Sequence, residues 1–261
     1  MNETVSVDIP AERLNKMISL LEERGTAKIG DLSAELHVSE STVRRDLDIL
    51  VREGRVQRSH GGAIWIDHSP SYGELYSEKL LTCAEEKQRI GACCAEMIAD
   101  GDSLFLDSGT TTFQIAQHLK DRKNLTVFTY DLAIATLVDF DPSTTVVVTG
   151  GIKRQAYNVV VGSMTEEFIS RIRFGTLFLS ADAVHPAQGV SNSNLPEAFI
   201  KSKLCRSAGR VVLAADSSKY GKTAMVNVCP LEEVDCAVTD SGLDPALREE
   251  MARKVKDFRL A

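Results

Sequence analysis

The sequence contains no Cys-x-x-Cys pair. Its six cysteines, Cys83, Cys93, Cys94, Cys205, Cys229 and Cys236, are scattered, and most sit among apolar neighbours, as in Val234-Asp235-Cys236-Ala237-Val238. That spacing argues against a zinc ribbon or thioredoxin-like site and reads as reduced, buried thiols in a cytoplasmic protein. Cys93-Cys94 is the one adjacent pair. Long apolar runs are missing too. Stretches such as Val146-Val147-Val148 fall far short of the roughly 20 residues a membrane helix needs. Met1 to Pro10 carries acids and no apolar block, which does not read as a secretory signal. A surplus of positive charge is lacking: 30 Lys+Arg stand against 37 Asp+Glu, a net charge of −7. Any nucleic-acid contact must therefore come from a local basic face. No low-complexity run or short repeat occurs, and no metal or cofactor set is evident.

What is present is the composition of a soluble globular protein, 43% hydrophobic and 26% charged. The 261 residues suffice for one or two domains. The first sixty read as helices. Leu14, Met17, Ile18 and Leu21 give helical spacing over Arg13–Arg24, stopped by Gly25. A short helix is expected from Gly30 to Leu36, a turn at His37-Val38-Ser39, and a third helix from Glu40 to Arg52 capped by Ser39. A strand over Arg55–Arg58 and the turn His60-Gly61-Gly62-Ala63 suggest a small hairpin. Residues 66–80, with Asp67-His68-Ser69-Pro70-Ser71-Tyr72-Gly73, read as a linker between domains 1–65 and 81–261. Beyond it, short apolar strands (Ser103–Leu106, Leu125–Thr129, Thr145–Thr149, Thr176–Ser180, Arg210–Ala215, Asp235–Thr239) alternate with helices such as Ala84–Ala99, Thr112–Leu119 and Leu195–Ser207. That alternation predicts a mostly parallel α/β sheet covered on both faces.

In the third helix Val43, Leu47 and Leu50 share one face, which points Arg44 and Arg45 away from it near the helix start. Ser39, Ser41 and Thr42 put hydroxyls at the same end. Hydroxyls and free N–H groups suit phosphates, and arginines suit guanine edges or phosphates, as in a recognition helix of a helix-turn-helix. Arg55, Arg58, His60 and Gly61 would form a wing. The same layout fits a solvated charged face, since nine Lys/Arg and eight Asp/Glu lie between Arg13 and Gly62. The run Ser39, Thr42, Val43, Arg44, Arg45, Asp46, Leu47, followed by Gly54 and Arg58-Ser59-His60-Gly61-Gly62-Ala63, resembles the DNA-binding signature of DeoR-type bacterial transcription regulators. His37 departs from that pattern, which often has an apolar or aromatic residue there, and is expected to be a partly buried turn residue.

A second constellation follows the Leu104-Phe105-Leu106 strand. Asp107, Ser108, Gly109, Thr110 and Thr111 combine hydroxyls, a glycine and a helix start, the makings of an anion nest. This turn lacks the Gly-Lys-[Ser/Thr] of a Walker loop, and the chain holds no Gly-x-Gly-x-x-Gly, which disfavours nucleotide binding. Other strand ends are polar: Gly150, Gly151 and Arg154, then Asp182, then Lys219. Ligands of open parallel sheets sit beyond the carboxyl ends of strands, so one shared pocket is expected. Arg154, Lys219 and hydroxyls would take phosphate, while Asp107, Asp182 and Glu197 would take sugar hydroxyls.

These strand-end motifs, with Gly162, Glu197-Ala198 and Asp216-Ser217-Ser218-Lys219, are similar to the effector domain of the same DeoR family. The resemblance implies an amino-terminal winged helix-turn-helix and an α/β sensor domain related in fold to ribose-phosphate isomerases and CoA transferases. It implies a repressor that binds operator DNA, responds to a phosphorylated sugar, acts as a homo-oligomer (dimer or tetramer) and is not an enzyme. The family commonly has Thr-Asn where this chain has Thr129-Tyr130, so Tyr130 is expected to narrow or reshape the pocket. The alternative is a sugar-phosphate isomerase or transferase, with Asp107, Asp182, Glu197 and Lys219 as base and anion clamp. Such an enzyme has no need of the amino-terminal arginine helix.

Overall fold

The computed structural model describes residues 10–52, 56–59, 61–65, 76–138, 141–154 and 157–261. The chain divides into two compact units, Met1–Pro70 and Ser71–Ala261.

The first unit holds helix α1 (Pro10–Arg24), strand β1 (Thr26–Lys28), helices α2 (Ile29–Leu36) and α3 (Glu40–Arg52), and strands β2 (Val56–Ser59) and β3 (Gly62–Trp65). The helical spacing seen in the sequence produces its core: Met17, Leu21, Leu32, Val43, Leu47 and Leu50 are all fully buried. Strands pair antiparallel in the order β1-β3-β2. A side chain at Gly62 would come within 2.3 Å of the Ala27 carbonyl oxygen, so only glycine lets β3 lie against β1. The three-residue β1 is too short to show periodicity and was not expected. His37 is exposed, contrary to expectation. It ends α2 in the left-handed conformation at φ 53°, which turns the side chain to solvent while its N–H donates to the Ser33 carbonyl.

The second unit runs α4 (Tyr76–Leu81), α5 (Ala84–Ala95), β4 (Ser103–Leu106), α6 (Thr110–Gln117), β5 (Thr126–Thr129), α7 (Leu132–Leu137), β6 (Thr145–Val148), β7 (Ile152–Lys153), β8 (Val160–Val161), α8 (Ser163–Arg171), β9 (Phe174–Leu179), β10 (Ala183–His185), β11 (Gly189–Asn192), α9 (Leu195–Ser207), β12 (Ala208–Ala214), β13 (Val226–Cys229), β14 (Cys236–Thr239), α10 (Pro245–Lys254) and β15 (Asp257–Leu260). Its seven-stranded sheet, in the order β15-β14-β12-β9-β4-β5-β6, is parallel throughout. Apolar clusters cover both faces, as parallel sheets require: Phe105, Leu177 and Leu213 point one way, and Leu104, Phe178 and Val212 the other. Neither β15 nor the small antiparallel sheet β10-β11-β13 was expected. β15 is an edge strand whose Asp-Phe-Arg-Leu pattern lacks the continuous apolar run of its buried neighbours. Helix α4 occupies the last part of the expected linker, and 66–75 lies outside the described residues.

Candidate functional site

The first unit presents the start of α3. The hydroxyls of Ser39, Ser41 and Thr42 cluster, with Ser39 Oγ 2.8 Å from Ser41 Oγ and 3.0 Å from Thr42 Oγ1. Ser39 Oγ also accepts the Thr42 N–H at 3.3 Å, an N-cap. Arg44 and Arg45 are exposed. Arg44 pairs with Glu40 at 2.7 Å, one turn earlier, whereas Arg45 has no hydrogen bond or ion pair among the described residues. Arg58 bends back onto α3, donating to the Arg44 carbonyl at 2.7 Å and to Asp48 at 2.5 Å. It thereby fastens the β2-β3 hairpin to the helix. Gly61 forms the exposed turn at φ 81°. Arg55 and His60 lie outside the described residues. The aspartate of the motif, Asp46, is buried and accepts from Arg13 of α1 at 2.6 Å, which clamps the two helices together.

In the second unit a cavity opens at the carboxyl ends of β4, β9 and β12. Ser108, Gly109, Thr110, Thr111, Arg154, Asp182, Glu197 and Lys219 line it, as the strand-end argument expected. Gly109 is required sterically, because a Cβ there would meet Ser180 Oγ at 2.6 Å. It precedes α6, whose first turn has no side-chain cap. The hydroxyls of Thr110 and Thr111 have no hydrogen-bond partner among the described residues. Uncapped N–H groups, hydroxyls and a positive helix end form an anion-binding surface.

Charge bookkeeping around the cavity is lopsided. Lys79, Lys87, Arg154, Lys201 and Lys219 line it, against Asp182 and Glu197. Lys79 pairs with Asp182 at 2.5 Å, Arg154 with Glu197, and Lys201 with Asp107 behind the wall. Lys87 has no carboxylate within ion-pair distance among the described residues; it donates to the backbone carbonyls of Lys79 and Thr82. Burial pushes its pKa below the ordinary lysine value, with Asp216 opposing. Lys219 has neither a hydrogen bond nor an ion pair among the described residues. Two cations without anionic partners among the described residues, beside an uncapped helix start, favour a bound dianion. The Arg154 guanidinium lies 3.7 Å from the Tyr157 ring centroid, a cation–π contact on the same wall.

Three residues expected in the pocket are not on its lining. Asp107 is fully buried behind it. Its Oδ1 accepts the Tyr130 hydroxyl at 2.6 Å, and its Oδ2 accepts the Ser180 N–H at 2.8 Å and the Lys201 ammonium. Its carboxylate holds the wall together and has no face for a sugar hydroxyl. Gly150 and Gly151 fit the backbone against α8 instead. The Gly150 carbonyl accepts from Thr165 Oγ1 at 2.7 Å, and a Cβ on Gly151, at φ 131°, would meet that same oxygen at 2.4 Å. Tyr130 does not narrow the pocket; it is wholly buried, and burial followed by the Asp107 charge pushes its phenol well above the ordinary value. Sequence reading missed Lys79, Lys87, Tyr157, Asn192 and Lys201 as wall residues. Lys201 stands one turn after Glu197 on α9, a spacing that could have flagged it.

Asp182 gives a pH prediction. Burial alone would raise its pKa, but the Lys79 charge and hydrogen bond and the Ser193 N–H overturn this and hold it at about 2. A carboxyl held below its unfolded value contributes fully above about pH 4, and the contribution is lost as pH falls through about 2. The stability gap between wild type and Asp182→Asn, about 2 kcal/mol at pH 5, should therefore shrink toward zero by pH 2 in denaturant titrations. A gap independent of pH would contradict the ion pair.

The DeoR-like helix-turn-helix domain family matches residues 13–69, and the DeoR C terminal sensor domain family matches residues 82–241. The chain is similar to the HTH-type transcriptional regulator GlpR of Haloferax volcanii, at 33% identity over 93% of this chain and 94% of that protein. It is also similar to the glycerol-3-phosphate regulon repressor of Escherichia coli K12, at 30% identity over 88% and 90%. Among solved structures, ribose 5-phosphate isomerase A from Neisseria gonorrhoeae covers 56% of each chain at 15% identity and a TM-score of 0.38, too loose a likeness to carry an argument.

Proposed function

The chain belongs to the DeoR family of transcriptional regulators, and on that premise we propose that it is a cytoplasmic repressor of carbon-metabolism genes, released from its operator by a phosphorylated sugar. The start of α3 enters the major groove. There Arg45 reaches a base edge or phosphate, Arg44 assists after exchanging Glu40, and Ser39, Ser41 and Thr42 take backbone phosphates. Gly61 lets the wing approach the neighbouring backbone, with Arg55 and His60 as further contacts. Two or more copies act together, because one helix-turn-helix supplies too little specificity alone.

The observation that carries the effector reading is the pair of lysines, Lys87 and Lys219, without carboxylate partners among the described residues, beside the uncapped start of α6. A phosphate on Thr110, Thr111 and Lys219 would leave Asp182, Glu197 and Asn192 to face sugar hydroxyls. The curated relatives are named as regulators and repressors rather than as isomerases, which disfavours the enzymatic alternative. Lys219→Ala should weaken the sugar phosphate by roughly 10- to 100-fold, the worth of one charge-assisted hydrogen bond, while operator affinity without effector stays near wild type. Titrating effector against a labelled operator checks this, and an unchanged effector midpoint would put the phosphate elsewhere.

A further inference from the structure

We infer that helix α4 is the element through which the cavity controls the DNA-binding unit, held by a latch made of the Lys79–Asp182 ion pair and the Lys87 ammonium. The inference rests on the effector reading above and adds the route by which occupancy is transmitted. Three observations carry it. First, α4 is the first described element after the segment joining the two units, so in chain order it is where that segment ends. Second, Lys79 ties α4 to Asp182 in the connection between β9 and β10, 103 residues away, at 2.5 Å. Third, Lys87 of α5 caps the carboxyl end of α4, donating to the carbonyls of Lys79 and of Thr82, the residue after the helix. Those carbonyls lie in and just past the last turn of the helix, where no intrahelical donor is available.

Both lysines also line the cavity. An incoming dianion therefore competes for the groups that hold α4. Lys87 is buried and already commits two of its three N–H donors to α4. A phosphate oxygen that takes its third N–H also draws the ammonium away from those two carbonyls and weakens both bonds to them. The same phosphate draws Lys79 from Asp182. Effector and latched α4 thus bind the same two ammonium groups, which is the differential affinity a population shift requires. The latched state binds operator and the unlatched state does not.

The test uses the full-length protein, a labelled operator duplex, and inorganic phosphate and ribose 5-phosphate as probes. Lys79→Met and Asp182→Asn should each weaken operator binding about tenfold without any probe, and the double variant should lose no more than either single, since both break one latch. Added probe should then change affinity less than threefold, against about tenfold in wild type. Additive losses, or wild-type affinity with a wild-type response, would overturn the latch and leave the regulator reading standing. A wild type indifferent to both probes and to every other sugar phosphate tried would remove the effector reading and the latch with it. Hydrogen exchange on the wild type needs no variant: phosphate should speed exchange at the amides of residues 77–82, and unchanged exchange there alongside a measured operator response would overturn the inference.

Discussion

Lys201→Met should lower the stability of the second unit by about 3–5 kcal/mol, the usual loss when one partner of a buried ion pair is removed. Lys201 and Asp107 are both essentially inaccessible to solvent, and the ammonium donates to Asp107, to the Ser180 carbonyl at 3.0 Å and to Ser180 Oγ at 2.8 Å. Methionine fills a similar volume but leaves the Asp107 carboxylate with only the Tyr130 hydroxyl and the Ser180 groups. The charge is then buried and uncompensated. Removing the charge as well should recover most of the loss, so Asp107→Asn combined with Lys201→Met should unfold near wild type in urea. A loss under about 1 kcal/mol for Lys201→Met, or no recovery in the double variant, would mean that the pair is not what holds this wall.

Arg45→Ala should weaken operator binding by about 1–3 kcal/mol, roughly 5- to 150-fold, with no change in the unfolding of the first unit. Arg45 is exposed and has no partner among the described residues, so truncation leaves no buried group unsatisfied. The mode of contact can be separated by salt. Loss of a phosphate contact lowers the slope of log K against log salt by about one and affects all sequences alike. Loss of a base contact relaxes preference at one position and leaves the slope nearly unchanged. Arg44→Ala should cost less, because Arg44 must first leave Glu40. Wild-type affinity in Arg45→Ala would remove α3 from the groove.

Much of this architecture could be read from the residues. Helix α3 is present over the expected Glu40–Arg52, and β4 over the expected Ser103–Leu106, because strong apolar periodicity and caps define both. The strand-end argument gathered Ser108 to Thr111, Asp182, Glu197 and Lys219 around one cavity, since topology alone brings those ends together. It failed where a residue's role depends on what faces it. Asp107 sits in the same motif as Ser108, yet Lys201, 94 positions later, turns it into the wall behind the cavity. Gly150 and Gly151 look like a nest until Thr165 is seen against them. Tyr130 is large enough to fill a pocket, but its hydroxyl finds Asp107. Lys79 and Lys87 were missed because they lie at the edge of an expected linker and on a helix, Ala84–Ala99, in which no polar motif stands out. These pairings depend on which side chains the fold brings face to face, which the residue types alone do not specify.

The most direct measurement of the central claim is fluorescence anisotropy on labelled DNA from upstream of the protein's own gene, over a salt series and then with a panel of sugar phosphates. The account predicts tight, sequence-selective binding that weakens steeply with salt and is reversed by one sugar phosphate in wild type but much less in Lys219→Ala. Selective binding that no sugar phosphate reverses would contradict the effector cavity, and no selective binding at low salt would contradict the repressor itself.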